Sequence, residues 1–586
     1  MPTLEWIGKD KVVNHHLDVP YRVLDRIYSY DEAGQHTEDN GSENMIIHGD
    51  NLEALKALLP RYEGRIKCIY IDPPYNTGNE GWVYNDNVND PRIKAWLNKV
   101  VGKEGEDLSR HDKWLCMMYP RLKLLQRLLA DDGVIFISID DNEQANLRML
   151  CNEVFGKQNF IAQIVWQKRT SPDARKRISN GHEYILVYAK MLNNLEDILN
   201  LIEIDYSDAD KYKNPDHDPK GPWVSVDFTA QGFRPNQMYE IRTPSGRTIV
   251  PPEGRCWKNL KEVFDQYYAE GRLWFGSDGN GVPRQKNYLS EKGGKTVWTW
   301  WTNEEVGHTQ EATQQLAVIL QKKVFDYPKP VRLIQRIIQM TSAPDSIILD
   351  SFAGSATTAH AVLNMNKADG GNRRFILVEM MDYSDSITAE RVKRVIKGYS
   401  SADDVEETVY DAELTISNLK NGAALLDEAK QAAKDAKGKY DKVGKPKIID
   451  GHLRVIGTYK STEEIEGTGG SFSYYELGEP LMHGDVLNED VGVEKIREYV
   501  YFTETKNRLP DPHPDEPYFM GVHVNSAYYF YYERDSVTTL NRAFLHSVKT
   551  KADAYVIYAD LCMLSEAELE QYHITFKKIP RDITKL

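Results

Sequence analysis

Cysteine is scarce in this sequence: Cys68, Cys116, Cys151, Cys256 and Cys562 are the five among 586 residues, and none has a paired spacing. That pattern fits neither a disulfide framework nor a thiolate zinc site, and it points to a reducing compartment, the cytoplasm. No stretch approaches the ~20 apolar residues of a membrane-spanning helix. Met1 to Asp18 mixes charged and apolar residues without the continuous apolar core of a secretory signal. Positive charge is also in deficit, with 73 Lys plus Arg against 88 Asp plus Glu. For a phosphate-rich partner that balance has the wrong sign. Its distribution removes the objection: residues 160–300 carry 20 basic and 18 acidic side chains, whereas residues 401–586 carry 22 and 33. The chain also lacks a three-glycine dinucleotide fingerprint, a phosphate-loop lysine and a nuclease-like carboxylate–lysine cluster. Binding of a dinucleotide and work as a helicase are thereby excluded, and any cleavage of nucleic acid would fall to a separate protein.

What is present begins with the apolar run Ile66-Lys67-Cys68-Ile69-Tyr70-Ile71, which reads as a buried parallel strand, followed at once by Asp72-Pro73-Pro74-Tyr75. Open α/β sheets place their chemistry at such strand ends. The turn suits an exocyclic amine on a planar base. The nitrogen lone pair of such an amine is delocalised into the ring, so it is a poor nucleophile. The Asp72 carboxylate and the Pro73 carbonyl form an acceptor pair for its two hydrogens and draw the nitrogen towards sp³ geometry. Pro73 and Pro74 stiffen the turn and remove competing donors, and Tyr75 offers a stacking face for a base flipped out of a duplex.

A second strand-to-helix turn lies far downstream, at Ser346-Ile347-Ile348-Leu349-Asp350-Ser351-Phe352-Ala353-Gly354-Ser355 and on into Ala356-Thr357-Thr358. Gly354 lets a ligand approach the backbone, and a helix amino terminus favours a carboxylate or a phosphate. The next strand, Phe375-Ile376-Leu377-Val378-Glu379, ends in an acid placed for ribose hydroxyls. Without a phosphate-cradling lysine, this set points to a nucleoside cofactor that has no pyrophosphate.

The two turns together resemble the amino-methyltransferases that use S-adenosylmethionine, in the β-class order with the catalytic motif first and the cofactor loop last. Further segments carry the resemblance. They are His48-Gly49-Asp50-Asn51-Leu52 before the catalytic strand, Leu129 to Asp140 as a helix end and central strand, Gly181 to Tyr188 as the strand lining the base pocket, and Phe325-Asp326-Tyr327-Pro328-Lys329-Pro330 opening the cofactor half. The ordered set covers most of residues 40 to 400 and most resembles the modification subunit of Type III restriction systems. The resemblance implies a circularly permuted, Rossmann-like α/β fold with a mostly parallel sheet, a β-rich target-recognition insert and an α+β C-terminal domain. It implies adenine N6 as the acceptor, because the family favours Ser at the first motif position for cytosine N4. Asp72, Pro73, Pro74 and Tyr75 are then the catalytic residues. Asp50, Lys329, Asp350, Phe352, Ala353, Gly354 and Glu379 are the cofactor contacts, with Lys329 near the methionine end. No catalytic metal is implied, since displacement at a sulfonium methyl has no leaving oxyanion for a cation to neutralise. Implied partners are double-stranded DNA, a second copy of the chain and a separate helicase-nuclease restriction subunit. A solitary regulatory methyltransferase, or a subunit that mainly lends specificity to a nuclease, remains open at this stage.

Composition and the resemblance together imply five segments: an arm at 1–40, a catalytic half at 41–189, a recognition domain at 190–302, a cofactor half at 303–400 and an acidic domain at 401–586 for dimerisation or docking. Lys168, Arg169, Arg175, Lys176 and Arg177 lie within ten residues and are the candidate phosphate contacts. The insert is dense in aromatics, mostly expected in its core, with Arg234, Arg242, Arg247, Arg272 and Arg284 as candidates for base or phosphate contact and a helix near Leu260 to Tyr268. Beyond residue 400 an exposed helix is expected from Leu419 to Lys442, a hairpin-like loop from Ser461 to Gly470 and a helix from Thr538 to Lys549.

Overall fold

The computed structural model describes residues 3–77, 110–204, 211–415, 418, 420–449 and 451–581. It divides into two compact units, one built from Met1–Leu199 with Thr299–Leu586 and the other from Asn200–Trp298. Leu419, at the start of the expected C-terminal helix, lies outside the described residues, as do residues 78–109 of the catalytic half and 205–210 of the insert.

An 11-stranded sheet organises the larger unit. Its strands are β1 (Arg22–Asp31), β2 (Gly34–His36), β3 (Met45–His48), β4 (Ile66–Ile71), β5 (Leu129–Ile139), β6 (Phe160–Gln167), β7 (His182–Ala189), β8 (Trp300–Trp301), β9 (Ile347–Asp350), β10 (Arg374–Glu379) and β11 (Phe472–Pro480). They lie in the order β8-β6-β7-β5-β4-β9-β10-β3-β11-β1-β2. From β5 to β11 every neighbouring pair is parallel, whereas β7 runs antiparallel to both β5 and β6. The parallel strands are short apolar runs buried along nearly their whole length, such as Ile347 to Asp350, because helices cover both faces of a parallel sheet.

Five helices matter for the site: α1 (Asn51–Tyr62), α2 (Arg110–Leu128), α3 (Val331–Thr341), α4 (Thr357–Asp369) and α5 (Glu390–Lys397). On α3, Leu333, Ile334, Ile337 and Ile338 recur at helical spacing and are all buried, which docks the helix on the sheet. Strands β4 and β9 belong to halves of the chain almost 300 residues apart, yet they pair directly, with Cys68 opposite Ile348 and Ile69 opposite Leu349. Both therefore deliver their loops to the same edge of the sheet, the crevice where strand order reverses.

Segments that composition sets apart meet in this sheet. β1 and β2 come from the amino-terminal arm, and β11, from within residues 401–586, lies between β3 and β1. The rest of that C-terminal stretch holds a long antiparallel ribbon of Gly398–Glu413 against His452–Glu466, and a four-stranded sheet of Phe519–His523, Ser526–Phe530, Ala554–Ala559 and Ile574–Lys578. The expected loop at Ser461 to Gly470 is thus strand as far as Glu466. Pairing with a distant segment overrides its polar composition. The helix expected over Thr538 to Lys549 shrinks to Arg542–Ser547, because Thr539–Leu540 pairs in parallel with Leu561–Cys562 and Asn541 then caps the helix. The exposed helix is Gly422–Asp435.

The smaller unit is β-rich, with short strands such as Trp223–Asp227 and Arg284–Tyr288 and one longer helix, Lys261–Ala269, close to its expected position. Phe228, Trp257, Phe264 and Phe275 form its core. Phe233 departs from the expectation that these aromatics are core, being 73% exposed.

Candidate active site

The loops after β4 and β9 enclose a cavity of about 210 Å³ lined by Asp72, Pro73, Tyr75, Lys329, Asp350, Phe352, Ala353 and Gly354, among others. The β4 loop is held from behind. Trp114 of α2 donates its indole N–H to the Pro74 carbonyl at 2.6 Å, and Asn76 adopts the left-handed region with φ 60°. Such a backbone conformation in a non-glycine residue costs of order 1–3 kcal/mol and marks a loop held by its surroundings. Tyr327 (φ 58°), which lines the cavity, and Ala356 (φ 62°), just before α4, share it.

At the turn after β4 the side chains form one connected cluster. Tyr75 donates its hydroxyl to Asp72 Oδ1 at 2.7 Å, and Lys329 Nζ donates to Asp72 Oδ2 at 2.6 Å. Lys329 Nζ also lies 3.0 Å from the Tyr75 hydroxyl and 5.1 Å from the centre of its ring. Tyr75 is 8% exposed. Burial, then the neighbouring Asp72 and Glu183 charges, raise its phenol well above the ordinary value, so the hydroxyl stays a donor. Glu183 on β7 completes the cluster, with Oε2 3.1 Å from the Tyr75 hydroxyl and 3.5 Å from Lys329 Nζ, and with Oε1 accepting from Lys168 Nζ at 2.8 Å. Burial alone would raise this carboxyl, but the Lys329 and Lys168 ammonium groups outweigh it and hold the group below the usual carboxylate range.

The second loop is held just as closely. Phe352 N–H donates to Asp350 Oδ1 at 3.1 Å and the Thr358 hydroxyl to Oδ2 at 2.6 Å, which ties the strand end to α4. Gly354 N–H donates to Glu379 Oε2 at 2.8 Å, and Met381 N–H to Oε1 at 3.0 Å. Gly354 has φ +51°, and a Cβ there would stand 3.2 Å from Phe325 Cζ. Arg391 of α5 clamps the loop from below through the Ser355 carbonyl at 3.0 Å and the Thr357 hydroxyl at 2.9 Å. Arg391 is buried, which lowers its guanidinium to about 9.

Burial raises Asp350 and Glu379 each to about 7. Their folded values thus exceed their unfolded ones. The protonated form stabilises the fold fully below about pH 4, and that contribution is lost as pH rises through about 7. Asp350→Asn removes one such group. The variant is expected to lose less stability than the parent between about pH 5 and 8, by up to roughly 3 kcal/mol. Denaturant titrations at the two pH values measure it, and equal losses would refute the assignment.

The expected site residues are brought together unevenly. Asp72, Pro73, Tyr75, Lys329, Asp350, Phe352, Ala353 and Gly354 share the cavity, while Pro74, Asp50 and Glu379 are not among its lining. Asp50 caps α1, accepting from Leu52 N–H at 2.9 Å, and pairs with Arg121 at 3.2 Å. Its neighbour Asn51 reaches the loop after β9, donating to the Ser351 carbonyl at 3.3 Å. The five-cation run divides: Lys168 turns onto Glu183, Arg169 lines the cavity and Arg175 forms a two-pronged pair with Asp173. Lys176 and Arg177 are exposed. In the insert, Arg272 is committed to Glu270 and Glu291 and Arg284 to Ser225, whereas Arg234, Arg242 and Arg247 are exposed. Sequence reasoning missed Glu183, Arg121 and Arg391. Glu183 had a signal, since it sits in the strand expected to line the base pocket; the two arginines had none.

A family model described as DNA methylase matches residues 66–390. The chain is 35% identical over 387 residues to the Type III restriction-modification enzyme StyLTI Mod subunit of Salmonella typhimurium, covering 63% of this chain and 56% of that protein. It is 33% identical over 419 residues to the Type III restriction-modification enzyme EcoPI Mod subunit of Escherichia phage P1, covering 64% and 63%. It is 34% identical over 378 residues to the Type II methyltransferase M.KpnI of Klebsiella pneumoniae, covering 60% and 84%. The match spans less than two thirds of the length of the two Mod subunits.

Proposed function

The chain belongs to the DNA methylase family whose model its residues 66–390 match, and we propose that it transfers a methyl group from S-adenosylmethionine to adenine N6 in DNA, as the modification and recognition subunit of a Type III restriction-modification system. One observation carries the reading: the Asp72-Pro73-Pro74-Tyr75 turn and the Asp350–Gly354 loop open into a single cavity from adjacent parallel strands.

The residues present fit the cofactor. Gly354 leaves open a backbone that a Cβ would crowd against Phe325, the Phe352 side chain offers a flat face, and Asp350 brings a carboxyl group to the same lining. Bound there, S-adenosylmethionine supplies an electrophilic methyl group on sulfur. Asp350, Phe352, Ala353 and Gly354 hold it, with Glu379 supporting the loop and available to a ribose hydroxyl. Asp72 and the Pro73 carbonyl accept the two amine hydrogens and orient the nitrogen lone pair, and Asp72 takes the proton as the amine becomes positive. Most of the acceleration comes from this alignment in a cavity that restricts water. Tyr75 supplies the stacking surface for the flipped base.

Lys176, Arg177 and the exposed arginines of the insert grip DNA, and the insert selects the sequence. A second copy of the chain and a separate restriction subunit are the protein partners. Among the described residues no helix is long and apolar enough to cross a membrane, which accords with work on DNA in the cytoplasm. Incubation with labelled S-adenosylmethionine and unmethylated bacterial DNA, followed by mass identification of the nucleoside, is expected to yield N6-methyladenine. Label in N4-methylcytosine would overturn the base, and no label with cofactor bound would overturn the substrate.

A further inference from the structure

Lys329 stands where the substrate must go. Its ammonium occupies Asp72 Oδ2 at 2.6 Å, contacts the Tyr75 hydroxyl at 3.0 Å and lies 5.1 Å from the centre of the Tyr75 ring. Asp72 and Tyr75 are the two side chains that, on the reading above, receive the amine and the base. An ammonium in this enclosed place does not leave without another anion to meet it, because a buried unpaired charge costs several kcal/mol. Asp72 also cannot turn its lone pairs to an amine at full strength while it holds a cation on one oxygen and a phenol on the other.

Besides Asp72, Glu183 lies within ion-pair distance of Lys329 among the described residues. Glu183 is 7% exposed, and its Oε2 lies 3.5 Å from Lys329 Nζ and 3.1 Å from the Tyr75 hydroxyl. A shift of under about 1 Å would bring the ammonium to charge-assisted hydrogen-bonding distance. The same rotation of the Tyr75 hydroxyl that releases Asp72 Oδ1 points it at Glu183. Lys168, fixed on Oε1 at 2.8 Å, keeps the carboxylate aimed.

We propose that Glu183 is a positioning residue for methyl transfer: the second anchor onto which Lys329 and the Tyr75 hydroxyl move from Asp72 when the target amine enters. The inference rests on the proposed methyl transfer and adds to it a defined exchange of partners. Asp72 is paired before substrate arrives and free to accept N–H hydrogens once it is bound. When Asp72 takes the amine proton and becomes neutral, its pull on Lys329 disappears, so Glu183 retains the cation until the product leaves.

The groups that face Glu183 are Tyr70, Asp72 and Tyr75 from β4 and its loop, Asp140 after β5, Lys168 after β6, and Lys329. Glu183→Gln keeps the shape and removes the anchor's charge. Single-turnover transfer by this variant is expected to fall about 100-fold, while cofactor affinity, measured by equilibrium dialysis, changes by no more than about twofold. Glu183→Asp, which keeps the charge, retains more activity than Glu183→Gln. A Glu183→Gln enzyme with the parent's rate would overturn the proposal. So would equal losses in both variants, or a loss of cofactor affinity matching the loss of rate, since each describes a purely structural side chain. The parent protein run alongside separates the two levels. Failure of the parent to methylate DNA removes the reaction and this inference with it, whereas an active parent with an unaltered variant removes the role of Glu183 alone.

Discussion

Asp72→Ala is expected to abolish methyl transfer, by roughly 1,000-fold or more, while S-adenosylmethionine still binds within a few-fold of the parent affinity. Asp72 accepts from the Tyr75 hydroxyl and from Lys329 Nζ, and both partners have Glu183 as a second acceptor close by. Both can turn to Glu183 when Asp72 is removed, so the protein should remain folded. What is lost is the acceptor that orients the amine and removes its proton. The Pro73 carbonyl remains, which leaves one hydrogen held and the nitrogen free to rotate out of line. Single-turnover transfer measured beside equilibrium binding of the cofactor separates the two effects, and an active Asp72→Ala enzyme would refute the mechanism.

Gly354→Trp should fail at the opposite end of the cavity, with cofactor affinity falling by at least about 100-fold, or roughly 3 kcal/mol, before any effect on chemistry is visible. Two costs add. The backbone sits at φ +51°, a region that disfavours side chains by roughly 1–2 kcal/mol. The first side-chain atom would meet Phe325 Cζ at 3.2 Å, and the indole beyond it would occupy space among the cavity's lining residues. Gly354→Ala is the graded control, since it carries the backbone strain with only the first of those contacts, and its affinity should fall between parent and Gly354→Trp. Binding measured by calorimetry and folding by thermal denaturation distinguish a filled cavity from a collapsed loop. Parent-like affinity in Gly354→Trp would mean that the cofactor does not lie against this loop.

Much of the site was legible locally. Asp72 to Tyr75 and Asp350 to Gly354 each follow a short apolar run, and such a run ending in proline or glycine is a strand delivered to a turn whatever surrounds it. The insert was legible in the same way, from its turn residues and irregular spacing. Where the reading missed, the missing partner was distant. Ser461 to Glu466 is polar and reads as loop, yet it is a strand because Gly398–Glu413 lies beside it. Glu379 ends the expected strand as read; that its carboxylate also accepts from the Gly354 and Met381 amides is set by how two loops pack. Lys168 was grouped with its exposed neighbours, yet the antiparallel pairing of β6 with β7 sets it beside Glu183.

The sequence by itself determined which chemical groups exist and at which strand ends they stand, because turns, caps and apolar periodicity depend on neighbours a few residues away. Tertiary structure alone decided that β4 pairs with β9, that β11 closes on β3 and β1, and that Lys329 lies between Asp72 and Glu183. Those outcomes rest on contacts between residues more than a hundred positions apart, where burial and the pairing of buried charges select one arrangement. No local pattern encodes that selection.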